Sequence, residues 1–142
     1  MTGRLNKKTI IVTGAGSGLG RASAIKLAEE DAQVFCVDVN PETVKETSDI
    51  ITSRGGAASH YQADMCSETE IIAMVTEAEK TYNGIDGLLA NAGIAGTGAA
   101  HETSLEDWDR LIKVSLTGKW LCAKHVIPHF IAKKSGNIVF QS

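Results

Sequence analysis

The feature that most constrains the fold is the stretch TGAGSGLG at residues 13–20. It follows an apolar run with the length of a buried strand, and it opens a segment of helical period. A turn this tight requires glycine, because the backbone must approach a pyrophosphate while the free N–H groups and the positive dipole of the helix point at the phosphates. Gly14, Gly18 and Gly20 supply these positions. The spacing TGxxxGxG therefore predicts a dinucleotide site between the first strand and the first helix.

Short apolar runs alternate with longer segments of helical period along the rest of the chain, which indicates repeated β-α units on a parallel sheet. Strands are predicted at residues 9–12, 34–37, 57–61, 85–90 and 137–141. Capping-box patterns at residues 67–70 and 103–106 precede two helices, and the second opens a long helix that reaches about residue 133. No linker, repeat or low-complexity segment interrupts the pattern, so residues 1–142 are predicted to form one α/β domain.

The composition argues against several classes of function. The net charge is −3 and the lysines and arginines are scattered, so nucleic acid is not expected as a partner. A polar start and the absence of a long apolar run predict a cytoplasmic protein that does not enter a membrane. Cys36, Cys66 and Cys122 lack the spacing of a zinc or disulfide motif, and His125 and His129 lack a third ligand, so no metal site is expected.

Asp38 is the acidic residue expected to accompany the glycine-rich turn. It closes the second predicted strand, 18 residues after Gly20. A carboxylate there accepts hydrogen bonds from the ribose hydroxyls of an adenosine and repels a 2′-phosphate. A protein that binds the 2′-phosphate of NADP(H) places a basic side chain near it. The neighbouring residues Ser17 and Val39 are not basic, so the predicted cofactor is NAD(H) rather than NADP(H). The alternative interpretation is a solvated residue at a strand end, beside a glycine-rich turn that binds nothing.

Two further motifs follow the third and fourth predicted strands. They are ADMCSE, which contains Asp64 and Met65, and LLANAGIAG, which contains the triplet at residues 91–93. Together with the glycine-rich turn and the helical segment VSLTG, they resemble the motifs of the short-chain dehydrogenase/reductase family. The resemblance implies a doubly wound parallel Rossmann sheet with strand order 3-2-1-4-5. It assigns cofactor contacts to Gly14, Ser17, Gly18, Leu19, Gly20, Asp38, Asp64, Met65, Asn91, Ala92, Gly93 and Val114.

The resemblance also implies an activity. Members of this family transfer a hydride between nicotinamide and an alcohol or ketone carbon, while a Tyr/Lys pair relays the proton. A serine after the fifth strand positions the substrate oxygen, and here it is Ser142 or the residue after it. Ser115 stands where the family normally has a catalytic asparagine. The implied function is NAD(H)-dependent turnover of a small molecule that is a secondary alcohol or ketone.

The family's Tyr/Lys pair is not found in the sequence. Neither Tyr61 nor Tyr82 begins a YxxxK motif, so we expect a truncated chain whose catalytic pair lies beyond Ser142. The alternative is an inactive fragment that binds a dinucleotide but turns nothing over. The long helix of this family commonly pairs with its copy in another subunit, which implies a homo-oligomer, a dimer or a tetramer.

Overall fold

Five parallel strands form one sheet in the computed structural model, which describes residues 3–96 and 98–142. The strands are β1 (Thr9–Thr13), β2 (Gln33–Asp38), β3 (Ala57–Gln62), β4 (Gly87–Ala90) and β5 (Asn137–Phe140). Their order across the sheet is β3-β2-β1-β4-β5, and every neighbouring pair is parallel. The predicted doubly wound Rossmann topology is therefore confirmed. The first strand, β1, is the middle strand of the sheet, with β2 and β3 on one side and β4 and β5 on the other.

Helical segments connect the strands. The α-helices are α1 (Gly18–Glu29), α2 (Pro41–Ser53), α3 (Glu68–Tyr82), α4 (Leu105–Ile112) and α5 (Gly118–Lys133). A 3₁₀ turn at Ala100–Glu102 precedes α4, and a π-helical segment at Lys113–Thr117 joins α4 to α5. Within residues 3–96 and 98–142, no helix is both long and apolar enough to cross a membrane.

Two hydrophobic clusters pack the helices against the two faces of the sheet. Ile11 and Phe35 belong to the cluster that includes the buried side chains of α3 and α5. Val12 and Val34, which neighbour them along β1 and β2, belong to the cluster formed with α1 and α2. Successive side chains of a strand point to opposite faces, so a strand covered on both faces must be apolar throughout. Burying each of these side chains contributes about 2 kcal/mol.

The predicted start of the long helix is wrong by one residue. Ser104, not Thr103, is the N-cap, and its Oγ accepts a hydrogen bond from Asp107 N at 3.1 Å. The Thr103 hydroxyl instead donates to Ala99 O at 3.2 Å, which closes the preceding 3₁₀ turn. The π-helical segment at Lys113–Thr117 also interrupts what was predicted as one continuous α-helix.

Asp86 joins the amino ends of β1 and β4 to the end of α5. Its carboxylate accepts hydrogen bonds from Thr9 N at 2.9 Å, Lys133 Nζ at 2.7 Å and Lys8 Nζ at 3.3 Å. Burial raises the pKa of this carboxyl, but the three hydrogen bonds outweigh that effect and hold the pKa below its ordinary value of 3.8. The charged form of Asp86 therefore stabilises the fold.

We expect Asp86→Asn to lower the free energy of unfolding at neutral pH by about 2 kcal/mol, because hydrogen bonds to a charged group contribute about 1.5–3 kcal/mol. The folded pKa lies below the unfolded one, so this contribution is complete above about pH 4 and is lost as the pH falls through the folded pKa. Urea denaturation of the unsubstituted protein and of Asp86→Asn, from neutral pH down to below the folded pKa, measures the difference in the free energy of unfolding.

Asp49→Asn is the matched control for Asp86, because the Asp49 side chain is 60% exposed and pairs with Lys45 on the surface of α2. Its loss should cost less than about 0.5 kcal/mol. Equal destabilisation by the two substitutions would contradict the role given to Asp86.

Candidate functional site

A cavity of about 530 Å³ opens at the carboxyl ends of the strands. In an open α/β sheet, ligands bind in the crevice at this edge, where the strand order reverses. Every residue predicted to contact the cofactor lines the cavity except Gly20. The wall also contains five residues that were not predicted: Val39, Ala63, Cys66, Ile94 and Arg110.

The glycine-rich turn forms one wall of the cavity. Gly14 and Gly18 have φ angles of +67° and +52°, in the left-handed region that favours glycine. Gly20 lies behind the wall and is buried. A Cβ atom on Gly20 would lie 1.9 Å from Gly14 O and 2.6 Å from Asn91 Nδ2. Glycine is therefore needed for backbone shape at two positions and for close packing at the third.

The Asp38 carboxylate is fixed at the edge of the cavity. Its Oδ2 accepts a hydrogen bond from Gly16 N at 2.9 Å, and its Oδ1 accepts one from Asn40 N at 3.1 Å. A Cβ atom on Gly16 would lie 2.9 Å from Asp38 Oδ2, so glycine at this position lets the turn approach β2. Sequence reasoning missed Gly16, because it falls on a variable position of the TGxxxGxG spacing.

Arg21 ties the glycine-rich turn to α2, and it was not predicted as a site residue. Its Nη2 donates to Gly16 O at 2.7 Å and to Glu46 Oε2 at 2.7 Å, while Nε donates to Thr47 Oγ1 at 3.0 Å. Thr47 is fully buried and its hydroxyl donates to Ala15 O at 2.8 Å. One feature of the sequence could have indicated this contact: Thr47 is a polar residue on the buried face of an amphipathic helix.

The NAG motif joins β4 to β1 behind the cavity. Asn91 Nδ2 donates to Thr13 O at 3.1 Å and to Gly14 O at 3.3 Å. Thr13 Oγ1 in turn accepts hydrogen bonds from the backbone N–H groups of Asn91 and Ala92, at 3.1 and 3.0 Å. These four bonds hold the loop after β4 against the glycine-rich turn, and Gly93 continues that loop along the cavity wall.

Asp64 and Met65 lie in the turn after β3. Asp64 Oδ1 accepts a hydrogen bond from Cys66 N at 2.8 Å, and Asp64 N donates to Glu70 Oε2 at 2.7 Å. The predicted capping box is therefore half formed. Ser67 Oγ accepts from Glu70 N at 3.3 Å, but the Glu70 carboxylate binds Asp64 N. This arrangement fixes the turn that forms one side of the cavity.

Cys66 is the thiol on the cavity wall. Burial raises its pKa and the neighbouring Asp64 carboxylate raises it further, while the positive charges of Lys113 and Arg110 oppose the shift with smaller effect. Cys36 and Cys122 lie in the core, where burial raises the pKa of each thiol to about 12. A thiol reagent in solution should therefore reach Cys66 before the other two.

Ser115 lies in the π-helical segment, beside the loop that follows β4. Its Oγ accepts a hydrogen bond from Ile94 N and donates one to Ile94 O, each at 3.2 Å. Val114, the preceding residue, lines the cavity. The structure therefore brings Ser115 close to the cavity, with its hydroxyl bonded to the backbone of the loop. Its catalytic role stays a prediction.

Ser142 follows β5 and is exposed, and it is not among the residues that line the cavity. Its backbone carbonyl accepts a hydrogen bond from Gln141 Nε2 at 3.3 Å. The catalytic role of Ser142, or of the residue after it, stays a prediction.

The two histidines with metal-like spacing contact different carboxylates on α3. His125 Nε2 lies 2.8 Å from Glu68 Oε1, and His129 Nδ1 lies 3.1 Å from Glu79 Oε2. In the part of the chain that the structure describes, no group of three or more His, Cys, Asp or Glu side chains is arranged to hold a metal ion.

The sequence was compared with those of known protein families, and the family that it matches agrees with the fold and the glycine-rich turn described above. A sequence profile described as short chain dehydrogenase matches residues 8–142. The chain belongs to the short-chain dehydrogenase family. The match includes the glycine-rich turn, the turn after β3 and the NAG loop, and it confirms the resemblance on which the sequence prediction depended.

Relatives within the short-chain dehydrogenase family show how far the similarity extends. 2-(S)-Hydroxypropyl-CoM dehydrogenase 3 from Xanthobacter autotrophicus is 33% identical over 139 residues, which are 98% of this chain and 54% of that protein. Cis-4-hydroxycyclohexanecarboxylate dehydrogenase from Sinomonas cyclohexanicum is 37% identical, over 94% of this chain and 53% of that protein. A crystal structure of NAD⁺-bound xylitol dehydrogenase matches with a TM-score of 0.92 at 30% identity, over 95% of this chain and 52% of the other. The chain thus spans about half the length of the curated relatives it matches.

Proposed function

We propose that this short-chain dehydrogenase is a NAD(H)-dependent oxidoreductase that transfers a hydride between nicotinamide and a secondary alcohol or ketone. The observation that carries the proposal is the Asp38 carboxylate, held by Gly16 N and Asn40 N at the edge of the cavity. A carboxylate in this place accepts hydrogen bonds from ribose hydroxyls and repels a 2′-phosphate. The similarity to a NAD⁺-bound relative supports the same choice of cofactor.

The residues around the cavity fit a dinucleotide. The amino end of α1 offers free N–H groups and the positive end of its dipole to a pyrophosphate. A Cβ atom on Gly18 would have no neighbour within 4 Å, so the start of this helix is open to a ligand. The proposed contacts are Gly14, Ser17, Gly18 and Leu19 for the pyrophosphate, Asp38 for the adenosine ribose, and Asp64 and Met65 for the adenine. When bound, the nicotinamide ring supplies the hydride donor or acceptor.

Two serines are proposed to serve the reacting end of the site. Ser142, or the residue after it, would bind the substrate oxygen through its hydroxyl. Ser115, through its two hydrogen bonds to Ile94, would hold in place the loop that carries Gly93. Turnover by the whole protein is part of the proposal, and binding without turnover is the alternative, so the two are tested separately.

Protection of Cys66 tests cofactor binding without turnover. We expect iodoacetamide to modify Cys66 faster than Cys36 or Cys122, with a rate that rises with pH because the raised pKa keeps the thiol protonated near neutral pH. NAD⁺ at ten times its dissociation constant should slow the modification about tenfold, because about nine-tenths of the sites are then occupied. Peptide mass spectrometry measures the rate at each cysteine.

NADP⁺ is the matched control ligand, and it should protect Cys66 less at the same concentration because Asp38 repels its 2′-phosphate. Modification that neither dinucleotide slows would contradict binding in this cavity. Protection by NAD⁺ without NADH formation from any secondary alcohol would instead support the binding-only alternative.

We also propose that the protein forms a homo-oligomer through α4 and α5. Large apolar side chains recur along this helical run and remain exposed: Leu105 (74%), Trp108 (56%), Leu116 (62%), Trp120 (57%) and Ile131 (70%). An apolar stripe of this length is typical of a protein interface.

We expect Trp120→Glu to weaken self-association by about 2 kcal/mol or more in sedimentation experiments, whereas Ile72→Glu on α3 should leave it unchanged. A monomer in the unsubstituted protein would overturn the proposal.

The proposed location is the cytoplasm. All three cysteines are free thiols in the structure, and free thiols persist in reducing compartments. Imaging of a fluorescent fusion of the full-length protein in cells tests this, and exclusion from the cytoplasm would contradict it.

A further inference from the structure

Two consecutive carbonyl groups of the glycine-rich turn are held by side chains on neighbouring helices. The Ala15 carbonyl accepts a hydrogen bond from the buried hydroxyl of Thr47 at 2.8 Å. The Gly16 carbonyl accepts one from Arg21 Nη2 at 2.7 Å. Arg21 Nε donates to the same Thr47 hydroxyl at 3.0 Å, so the two side chains form one network. This network fixes the direction of both carbonyls.

The direction of a carbonyl determines the direction of the N–H group that follows it. A peptide bond is planar, and in the trans form its C=O and N–H groups point in opposite directions. The described part of the chain contains no cis peptide bond. The Gly16 N–H, which follows the Ala15 carbonyl, donates to Asp38 Oδ2 at 2.9 Å. By the same rule, the Ser17 N–H points away from Arg21.

Arg21 can hold the Gly16 carbonyl because its guanidinium group is itself held. Nη2 also donates to Glu46 Oε2 at 2.7 Å and to the Thr43 carbonyl at 3.2 Å, and the side chain is 26% exposed. A planar guanidinium presents its donors in one rigid arrangement, which a flexible ammonium group does not reproduce. The hydrogen bond to Gly16 is therefore part of a fixed set of contacts.

Ser17 lies where the direction of its N–H matters. It lines the cavity and directly precedes α1. In the part of the chain that the structure describes, its N–H has no acceptor, and its hydroxyl accepts no hydrogen bond from the first turn of α1. An N–H group beside the positive end of a helix dipole is suited to a phosphate oxygen.

We propose that Arg21 is a positioning residue for the phosphate groups of the cofactor, because its hold on the Gly16 carbonyl aims the Ser17 N–H into the cavity. Arg21 is not among the residues that line the cavity, so it acts through the peptide between Gly16 and Ser17. This inference rests on the proposed function, since it concerns how the same site binds the cofactor. Arg21 then contributes to the affinity for the phosphates and not to the affinity for adenosine.

Adenosine and ADP separate these two parts of the cofactor in the full-length protein. Both contain the ribose that Asp38 is proposed to bind, and only ADP carries the diphosphate. Calorimetric titration gives the dissociation constant of each, and the ratio of the adenosine constant to the ADP constant measures the contribution of the phosphates. We expect Arg21→Met to lower this ratio about tenfold, as one hydrogen bond to a charged group provides, while adenosine affinity changes less than about twofold.

Two further variants complete the test. Arg21→Lys keeps the positive charge but loses the planar fork, so we expect it to lower the ratio by about threefold or more. It replaces Arg21→Met in the test if circular dichroism shows that Arg21→Met is unfolded. Lys26→Met is the matched control, because it removes an exposed positive charge from the same helix, and it should leave the ratio unchanged.

Two results would overturn the role given to Arg21. A ratio in Arg21→Lys equal to that of the unsubstituted protein would mean that the positive charge alone is sufficient. An equal loss of affinity for adenosine and ADP would mean that Arg21 only supports the fold of the turn.

Failure of the proposed function gives a different result. An unsubstituted protein that binds NAD⁺ and ADP but forms no NADH from any secondary alcohol would contradict the proposed turnover, and the ratio would still decide the role of Arg21. An unsubstituted protein that binds adenosine as tightly as ADP would overturn this inference alone. Absence of binding for adenosine, ADP and NAD⁺ would overturn both.

Discussion

Gly20→Ala should destabilise the fold by about 3 kcal/mol and abolish dinucleotide binding. The added Cβ atom would lie 1.9 Å from Gly14 O and 2.6 Å from Asn91 Nδ2. Neither atom is free to move, because Asn91 Nδ2 donates to Gly14 O and to Thr13 O. Forcing extra volume into a packed region costs about 1–3 kcal/mol, and a clash with backbone lies at the upper end of that range.

Urea denaturation and NAD⁺ titration measure these two effects. Gly18→Ala, two residues earlier, is the matched control for the urea denaturation. A Cβ atom on Gly18 would meet nothing within 4 Å, so its cost comes from the φ angle of +52° and should be about 1 kcal/mol. Equal stability of the two variants would mean that the turn and Asn91 separate readily, which the four hydrogen bonds between β1 and the NAG loop argue against.

Asp38→Ala should weaken NAD⁺ binding about a hundredfold and remove the preference for NAD⁺ over NADP⁺. The substitution deletes the acceptor for Gly16 N and Asn40 N, so the glycine-rich turn loses its link to the end of β2. It also deletes the proposed acceptor for the ribose hydroxyls. Hydrogen bonds to a charged group are worth about 1.5–3 kcal/mol, and about 2.7 kcal/mol corresponds to a hundredfold change.

Asp38→Ala could weaken NAD⁺ binding by loosening the glycine-rich turn or by removing the acceptor for the ribose hydroxyls. Titration of NAD⁺ and NADP⁺ against the unsubstituted protein and against Asp38→Ala separates these two causes. Loss of the carboxylate should reduce NAD⁺ affinity more than NADP⁺ affinity, because repulsion of the 2′-phosphate disappears at the same time. A parallel loss for the two dinucleotides would show that Asp38 acts only by supporting the turn. Asp49→Ala, which removes an exposed carboxylate from α2, should leave both affinities unchanged.

Much of the fold was predictable because its signals are local. The apolar stretches at β1 and β2 and the glycines of residues 13–20 act through backbone conformation and burial, which depend on nearby residues. Asp38 was predictable for the same reason, since it follows its strand at a fixed distance from the turn. The strand order required the additional step of a family resemblance, because periodicity does not tell which strands are neighbours.

Other parts of the site were missed because they depend on contacts between distant segments. Arg21 donates hydrogen bonds to Glu46 and Thr47 on another helix, and the residues next to Arg21 in the sequence do not predict that contact. The shift of the N-cap from Thr103 to Ser104 has a similar origin. Both residues are suitable caps, and the use of the Thr103 hydroxyl in the preceding turn decided between them.

By itself, the sequence determined the α/β class, the glycine-rich turn and its acidic partner, because each of these follows from the conformational preferences and burial of neighbouring residues. Only the tertiary structure decided which side chains meet at the carboxyl ends of the strands. Gly16 approaches Asp38 there, Ser115 binds the loop at Ile94, and Lys119 reaches the end of β5. The physical reason is that these contacts join segments far apart in the chain, and parallel strands bring those segments together only after the sheet has formed.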